Sequence, residues 1–304
     1  MTNNKAKTLI VILGATATGK TAVSIELARK TGSEIISSDS RQVYREMVIG
    51  TAKPAAAELA AVPHHMVSVK SVAEYYSSGQ YEQDAMEIIT RLFEKHDTLF
   101  LVGGSGLYID AVCHGMDDMP ETDHALRETL TERAREEGLR SLLDELKTLD
   151  PQTYGKIDRS NPQRVIRALE VTLQTGRPYS RSRSGKHKER LFDTVKVGLT
   201  MPRELLYDRI NRRVDEMMSE GLEEEARRLY PMRHCNALQT VGYKEFFGYF
   251  DGEATLEEAV GLIKRNTRRY AKRQITWFGR DDSVKWFDMT EATVADIENY
   301  LKVV

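Results

Sequence analysis

The residues with the clearest chemical content form one loop, Gly14-Ala15-Thr16-Ala17-Thr18-Gly19-Lys20-Thr21. Glycine at both ends lets the backbone turn so that successive N–H groups face one cavity. A helix beginning there adds the positive end of its dipole. Lys20 supplies a mobile cation for terminal phosphates, and the Thr21 hydroxyl suits Mg2+. Chance gives this Gly-x-x-x-x-Gly-Lys-Thr pattern in about one chain per hundred of this length. It predicts that a phosphate or diphosphate binds here and does not say whose.

Two further clusters follow strand-like runs, where ligands bind in open α/β sheets. Asp39-Ser40-Arg41-Gln42-Val43-Tyr44 begins with a carboxylate that can hold Mg2+, act as a general base, or simply cap the strand in an Asx turn. Gly103-Gly104-Ser105-Gly106 allows close approach of a ligand or of another backbone. Arg209 and Arg213 lie one helical turn apart, suited to phosphate or to an ordinary solvated face. His64-His65 carries no acidic or Cys partner nearby and reads as packing or surface. Cys113 and Cys235 lack flanking ligands and read as inert thiols of a reducing compartment.

These residues need a scaffold, and the hydrophobic pattern supplies one. Thr8 to Leu13, Glu34 to Ser38 and Thr98 to Val102 are short β-prone runs. Apolar positions at helical spacing separate them: Val23 and Leu27, ending at Thr31-Gly32, then Ala85, Ile88, Ile89, Leu92 and Phe93. Strand, helix, strand, helix, strand predicts parallel βαβ units. From Gly115 to about Arg190 the pattern is helical and charged, with turn signals at Asp150-Pro151, Asn161-Pro162 and Gly176-Arg177-Pro178. Asp193 to Thr200 alternates as a strand. Leu206, Ile210, Val214 and Met217 continue as a helix after Pro202, with more helix to Thr276. The expected fold class is α/β, a P-loop parallel sheet core with an inserted all-helical domain. Residues 1–115 and 191–304 form the discontinuous core, and residues 116–190 the insertion.

Composition narrows the class. The 304 residues are 40% hydrophobic and 30% charged, enough apolar material for a packed core. No run of 18 apolar residues exists, and the polar N-terminus is not a signal peptide, so a cytosolic protein without membrane contact is expected. The net charge of −2 hides seven basic residues and no acid between Lys264 and Arg280, and six basic residues between Arg177 and Arg190. Local basic stripes on a neutral chain predict one polyanion-binding face. The 177–190 stretch can track such a backbone or be a mobile surface loop.

The motifs taken together resemble the bacterial tRNA dimethylallyltransferases, the tRNA isopentenyltransferase family. The resemblance rests on the P-loop, on Asp39 to Tyr44, Ile49-Gly50-Thr51-Ala52-Lys53-Pro54 and Gly103 to Tyr108, and on Arg167 to Val171, Val241 to Glu245 and Tyr270 to Trp277, in family order. Departures are Ala15 for the usual Pro, Thr18 for Ser and Ser105 for Thr.

The resemblance implies transfer of a dimethylallyl group from its diphosphate to the exocyclic N6 amine of the adenosine 3′ of the tRNA anticodon. It implies Mg2+ at Thr21 and a diphosphate in the loop Gly14, Ala15, Thr16, Ala17, Thr18, Gly19, Lys20 and Thr21. Arg209 and Arg213 join that site, and Asp39 serves as base. It places tRNA-facing residues at Asp39, Ser40, Arg41, Gln42, Ser105, Arg127, Gln163, Arg164, Val165, Ile166, Arg167, Val241, Gly242, Tyr243, Lys244, Lys272, Arg273, Gln274, Trp277 and Arg280. A monomer binding the tRNA anticodon stem-loop is expected. The competing readings are a P-loop small-molecule or nucleotide kinase, an adenylate isopentenyltransferase acting on free nucleotides, and a non-catalytic RNA-binding module. The basic C-terminal stretch argues against a kinase, and an intact P-loop against a passive module.

Overall fold

The structure, a computed structural model, describes residues 7–183, 185 and 187–303. It divides into an α/β unit, the chain up to His114 and from Glu189 onward, and a helical unit, Gly115–Lys188.

In the α/β unit the order is β1 (Thr8–Gly14), α1 (Lys20–Thr31), β2 (Ile35–Ser37), α2 (Ala56–Ala61), β3 (His64–His65), α3 (Ser78–Phe93), β4 (Thr98–Gly103) and α4 (Gly106–His114). After the helical unit it resumes with β5 (Asp193–Thr200). In the helical unit lie α5 (His124–Glu136), α6 (Leu139–Leu149), α7 (Pro151–Lys156), α8 (Pro162–Thr175) and α9 (Tyr179–Ser182). Beyond β5 come α10 (Arg203–Ser219), α11 (Leu222–Leu229), α12 (Lys244–Phe250), α13 (Leu256–Phe278), β6 (Val284–Asp288) and α14 (Val294–Leu301).

Among the described residues, six strands form one parallel sheet in the order β3-β2-β4-β1-β5-β6. β1 sits between β4, with Leu9 opposite Leu99, and β5, with Leu13 opposite Gly198. Helices cover both faces. Leu9, Val11 and Leu13 join a core with α3 and α4, while Ile10 and Ile12 join a core with Val23 and Leu27 of α1 and Ile297 of α14. Burial on both sides is why these strands read as continuous apolar runs rather than alternating ones. β3, β6 and α14 were not expected from the sequence. β3 has two residues, too few for any period, and only Val284 of β6 is buried. His65 Nε2 pairs with Glu34 Oε2 at 2.6 Å and His64 Nδ1 meets the Val62 carbonyl at 2.7 Å, both half-buried at the sheet edge, and His64 also lines the cavity described below.

The helical unit has its own core of Leu130, Leu142, Leu146, Val165, Ile166, Ala168 and Leu169. Asp150 and Asn161 cap α7 and α8 by accepting the N–H groups of Thr153 and Arg164, with proline following each cap. Proline suits that first position because its missing N–H would have no helical partner.

Candidate functional site

The P-loop joins β1 to α1. Gly14 has φ 146°, and a Cβ there would stand 2.4 Å from the Leu199 carbonyl oxygen of β5. Gly19, at φ 95°, starts α1, and no side chain caps that end. The first-turn N–H groups of α1 therefore remain available to an anion. Lys20 Nζ donates to the carbonyls of Ala15 (2.7 Å) and Gly14 (3.1 Å). Burial pulls the Lys20 ammonium down to about 8; the Asp39 charge opposes this and Arg213 adds to it. Ala15 and Thr18 are buried, with the Thr18 hydroxyl on the Ala15 carbonyl at 2.9 Å. Their side chains shape the loop. The Thr16 N–H is not turned toward an anion, as the loop pattern predicted, but donates to Gln274 Oε1 at 2.9 Å.

Asp39 follows β2. Its Oδ1 accepts the N–H groups of Arg41 (2.8 Å) and Gln42 (3.3 Å), an Asx turn that fixes the carboxyl and leaves Oδ2 for other work. Gln42 Nε2 reaches on to the Thr51 and Ala52 carbonyls. The Gly103–Gly106 turn sits beside Asp39: Ser105 Oγ accepts the Ser40 N–H at 2.9 Å. A Cβ on Gly103 would stand 2.4 Å from the Ser38 carbonyl, so glycine serves backbone packing there. The Tyr270 hydroxyl, hydrogen-bonded to Ser105, is pushed up to about 12 by burial and by the Asp39 charge.

These elements surround one cavity of about 920 Å3 within the α/β unit. Thr16, Ala17, Gly19, Lys20, Thr21, Asp39, Ser40, Arg41, Gln42, Arg209, Arg213, Val241, Gly242, Lys244, Arg273 and Gln274 all line it. Its wall carries seven Lys or Arg side chains against three Asp or Glu, a field that attracts a polyanion. Arg213 Nη1 lies 3.5 Å from Thr16 Oγ1, and burial lowers its proton affinity, opposed by Glu216 and assisted by Arg209. Ile210, Val214, Met217 and Ile263 give the same cavity an apolar side. Thr21 and Asp39 are its candidate cation ligands. No cluster of three His, Cys, Asp or Glu that could hold a metal occurs among the described residues. One hydroxyl and one carboxylate fit a hard cation that completes its shell with phosphate and water, and not a self-contained zinc site.

Burial corrects the assignment of Val165, Ile166 and Tyr243 as RNA-facing side chains, and the other assigned residues are placed as follows. Val165 and Ile166 are core residues of the helical unit, buried on the inner face of α8. They cannot present side chains to RNA, whereas Gln163 and Arg164 on the same first turn are exposed. Tyr243 is buried, its hydroxyl donating to Glu225 Oε1 at 2.7 Å and its ring against Gly50. Arg127 and Arg167 both clamp the fully buried Glu170, at 2.5 and 2.7 Å, and Arg167 also donates to the Pro120 carbonyl. Gln274 is buried between the P-loop and Gly104. Arg190, at the end of the basic 177–190 stretch, is an internal anchor on Glu82 and the Ala111 and Val112 carbonyls. Ser184 and Lys186 of that stretch lie outside the described residues. Lys272, Arg273 and Arg280 are exposed. Trp277 is half-exposed over Gly106, its Nε1 donating to Asp110 at 3.1 Å.

Sequence reasoning missed Glu225, a buried carboxylate that accepts the N–H groups of Val48, Ile49 and Gly50 at 3.0–3.1 Å and so fixes one cavity wall. Its signal was present: among Glu223, Glu224 and Glu225, only the last shares the helix face with Leu222, Ala226 and Leu229.

The IPP transferase family model matches residues 42–281. The tRNA dimethylallyltransferase 1 of Phocaeicola vulgatus is 50% identical over 286 residues, 94% of this chain and 95% of that protein. The tRNA dimethylallyltransferase 2 of Porphyromonas gingivalis is 52% identical over 280 residues, 92% and 93% of the two chains. The crystal structure of the Bacillus halodurans tRNA isopentenylpyrophosphate transferase superposes with a TM-score of 0.72 at 43% identity, covering 97% of this chain and 96% of that one. A eukaryotic dimethylallyltransferase acting on tRNA superposes at 0.77 with 28% identity, over 93% and 74%. The chain belongs to the IPP transferase family, among the bacterial tRNA dimethylallyltransferases, which are prenyl-transferring enzymes on a P-loop fold.

Proposed function

We propose that this protein transfers a dimethylallyl group from dimethylallyl diphosphate to the N6 amine of the adenosine immediately 3′ of the anticodon in tRNA. The observation that carries the reading is that the P-loop, Asp39, Arg213 and an apolar wall meet in one basic cavity. The diphosphate lies on the loop and the N-terminus of α1, with Lys20, Arg209 and Arg213 on its oxygens. The isoprenoid tail lies toward Val214, Met217 and Ile263. The allylic C1–O bond breaks with its electron pair leaving on the diphosphate, the N6 lone pair forms the new bond to C1, and the N6 proton passes to Asp39. Charge grows on the leaving group as the bond breaks, so preorganised cations there stabilise the transition state most. Adenine N6 is a poor nucleophile, and the Asx turn that holds Asp39 supplies orientation as well as a base. Mg2+ bound through Thr21 would neutralise diphosphate charge.

On the acceptor side, Ser40, Arg41, Gln42, Val241, Gly242 and Lys244 line the cavity and suit the target nucleoside. Lys272, Arg273 and Arg280, with Trp277, suit the RNA backbone and an unstacked base. The exposed Gln163 and Arg164 suit a contact by the helical domain, residues 116–190. A monomer acting on tRNA in the cytoplasm is the reading that accompanies this reaction. No described helix is long and apolar enough to cross a membrane.

The test is incubation with labelled dimethylallyl diphosphate and Mg2+, separately with unmodified tRNA and with AMP, beside an ATP-turnover control. Label in tRNA at the adenosine 3′ of the anticodon is the expected result. Label in AMP alone would assign a free-nucleotide prenyltransferase, and ATP turnover without prenyl transfer a kinase.

A further inference from the structure

Helix α13 carries the most basic stretch of the sequence, yet one of its faces is turned inward. Tyr270, Gln274 and Trp277, at i, i+4 and i+7, meet Ser105, Gly104 and Gly106 in turn. Gln274 is 5% exposed and makes two bonds of opposite sense. Its Oε1 accepts the Thr16 N–H at 2.9 Å and its Nε2 donates to the Gly104 carbonyl at 2.8 Å. Only one orientation of the amide satisfies a donor on one side and an acceptor on the other.

The bond to Thr16 fixes more than one atom. In a trans peptide the C=O of one residue and the N–H of the next point in opposite directions. With the Thr16 N–H drawn toward Gln274, the Ala15 carbonyl faces the other way, where it receives Lys20 Nζ at 2.7 Å and the Thr18 hydroxyl at 2.9 Å. The Thr16 hydroxyl, on the same residue, is the atom that Arg213 approaches at 3.5 Å. One amide from α13 thus sets the peptide plane against which both cations of the phosphate end are placed.

We infer that Gln274 is a positioning residue of the diphosphate site, acting through the 15–16 peptide on Lys20 and Arg213, and is not an RNA contact. Its neighbours Lys272 and Arg273 are exposed, with Arg273 at the cavity wall. Adjacent positions on one helix therefore serve the two substrates. The inference rests on the proposed reaction only for the identity of the diphosphate's owner.

The experiment compares Gln274→Met, which keeps the volume and removes both bonds, with Lys272→Met. Binding of inorganic diphosphate alone and of tRNA alone is measured by calorimetry, and KM for each substrate by label transfer. Gln274→Met is expected to weaken diphosphate binding and raise the KM for dimethylallyl diphosphate about tenfold, the effect of losing about one good hydrogen bond's worth of alignment. Its tRNA affinity stays within twofold of the parent, which also reports an intact fold. Lys272→Met is expected to give the reverse. Unchanged diphosphate affinity in Gln274→Met, or a loss confined to tRNA, overturns the inference. If label fails to enter tRNA while diphosphate affinity still depends on Gln274, the acceptor has been misidentified and the positioning role stands.

Discussion

Replacing Glu225 by Gln tests whether a single buried carboxylate holds the wall formed by residues 48–52. Oε1 accepts from the Gly50 N–H and the Tyr243 hydroxyl, and Oε2 from the Val48 and Ile49 N–H groups. Glutamine keeps one acceptor oxygen and turns an NH2 toward two donors. Two buried bonds are lost and donor faces donor, at about 1–3 kcal/mol for each group left unpaired. We expect a loss of about 3 kcal/mol, which for a unit of this size lowers the melting temperature by roughly 6–12 °C. Glu223→Gln is the control. Its partner Arg227 is an exposed i,i+4 neighbour at 2.7 Å, a pair of a class usually contributing about 0.3–0.5 kcal/mol. Chemical denaturation and thermal melts of both variants decide the matter. A Glu225→Gln melting temperature within about 2 °C of the parent would mean that the three N–H groups find other partners and that Glu225 does not hold the wall. A wall set free should also raise the KM for dimethylallyl diphosphate, because Gly50, Thr51 and Ala52 line the cavity.

Three further outcomes are expected. Asp39→Asn retains the Oδ1 acceptor of the Asx turn, so its melting temperature should hold while turnover falls about 10²–10⁴-fold; near-normal single-turnover rates would remove Asp39 as base. Neutralising Lys272 and Arg273 together should weaken tRNA binding and reduce the slope of log K against log salt by about 2, and an unchanged slope would move the RNA surface elsewhere. Burial disfavours the Asp281 carboxylate, but hydrogen bonds from Lys196 and Ser283 outweigh it and hold the group at about 2. A depressed folded value stabilises the protein above the unfolded value near 3.8, and that share is lost as pH falls toward 2. The stability difference between the parent and Asp281→Asn should therefore shrink between pH 5 and about 2, and a difference independent of pH in urea titrations would refute the pairing.

How much could be read in the sequence depended on whether the cause was local. β1 and β4 were legible because burial on both faces leaves an unbroken apolar run, and α1 because glycine stands at both of its ends. The loop and Asp39 were legible because phosphate chemistry demands particular residue types at fixed spacing. Glu225 and Gln274 were not assigned their roles, because their partners lie 175–177 and 258 positions away and leave no trace in local pattern. Val165 and Ile166 show the opposite failure. A contiguous run carried over by resemblance treats neighbours alike, while the helical period sends them inward with Leu169. Tyr243 was misplaced for the same reason, its ring packing against Gly50 instead of facing RNA.

The long tie between Thr16 and Gln274 bears on how the enzyme is born. The loop emerges from the ribosome early, and its central strand needs β5, with Asp193–Thr200, as a neighbour. Glu225, Tyr243 and then Gln274 must follow before the cavity has its walls. At about 5–20 residues per second, the P-loop waits on the order of ten seconds or more for the residue that aligns it. During that interval the nascent chain carries a complete phosphate-binding motif without a competent site. Shortening the chain before residue 274 should accordingly leave the motif intact in sequence and absent in function.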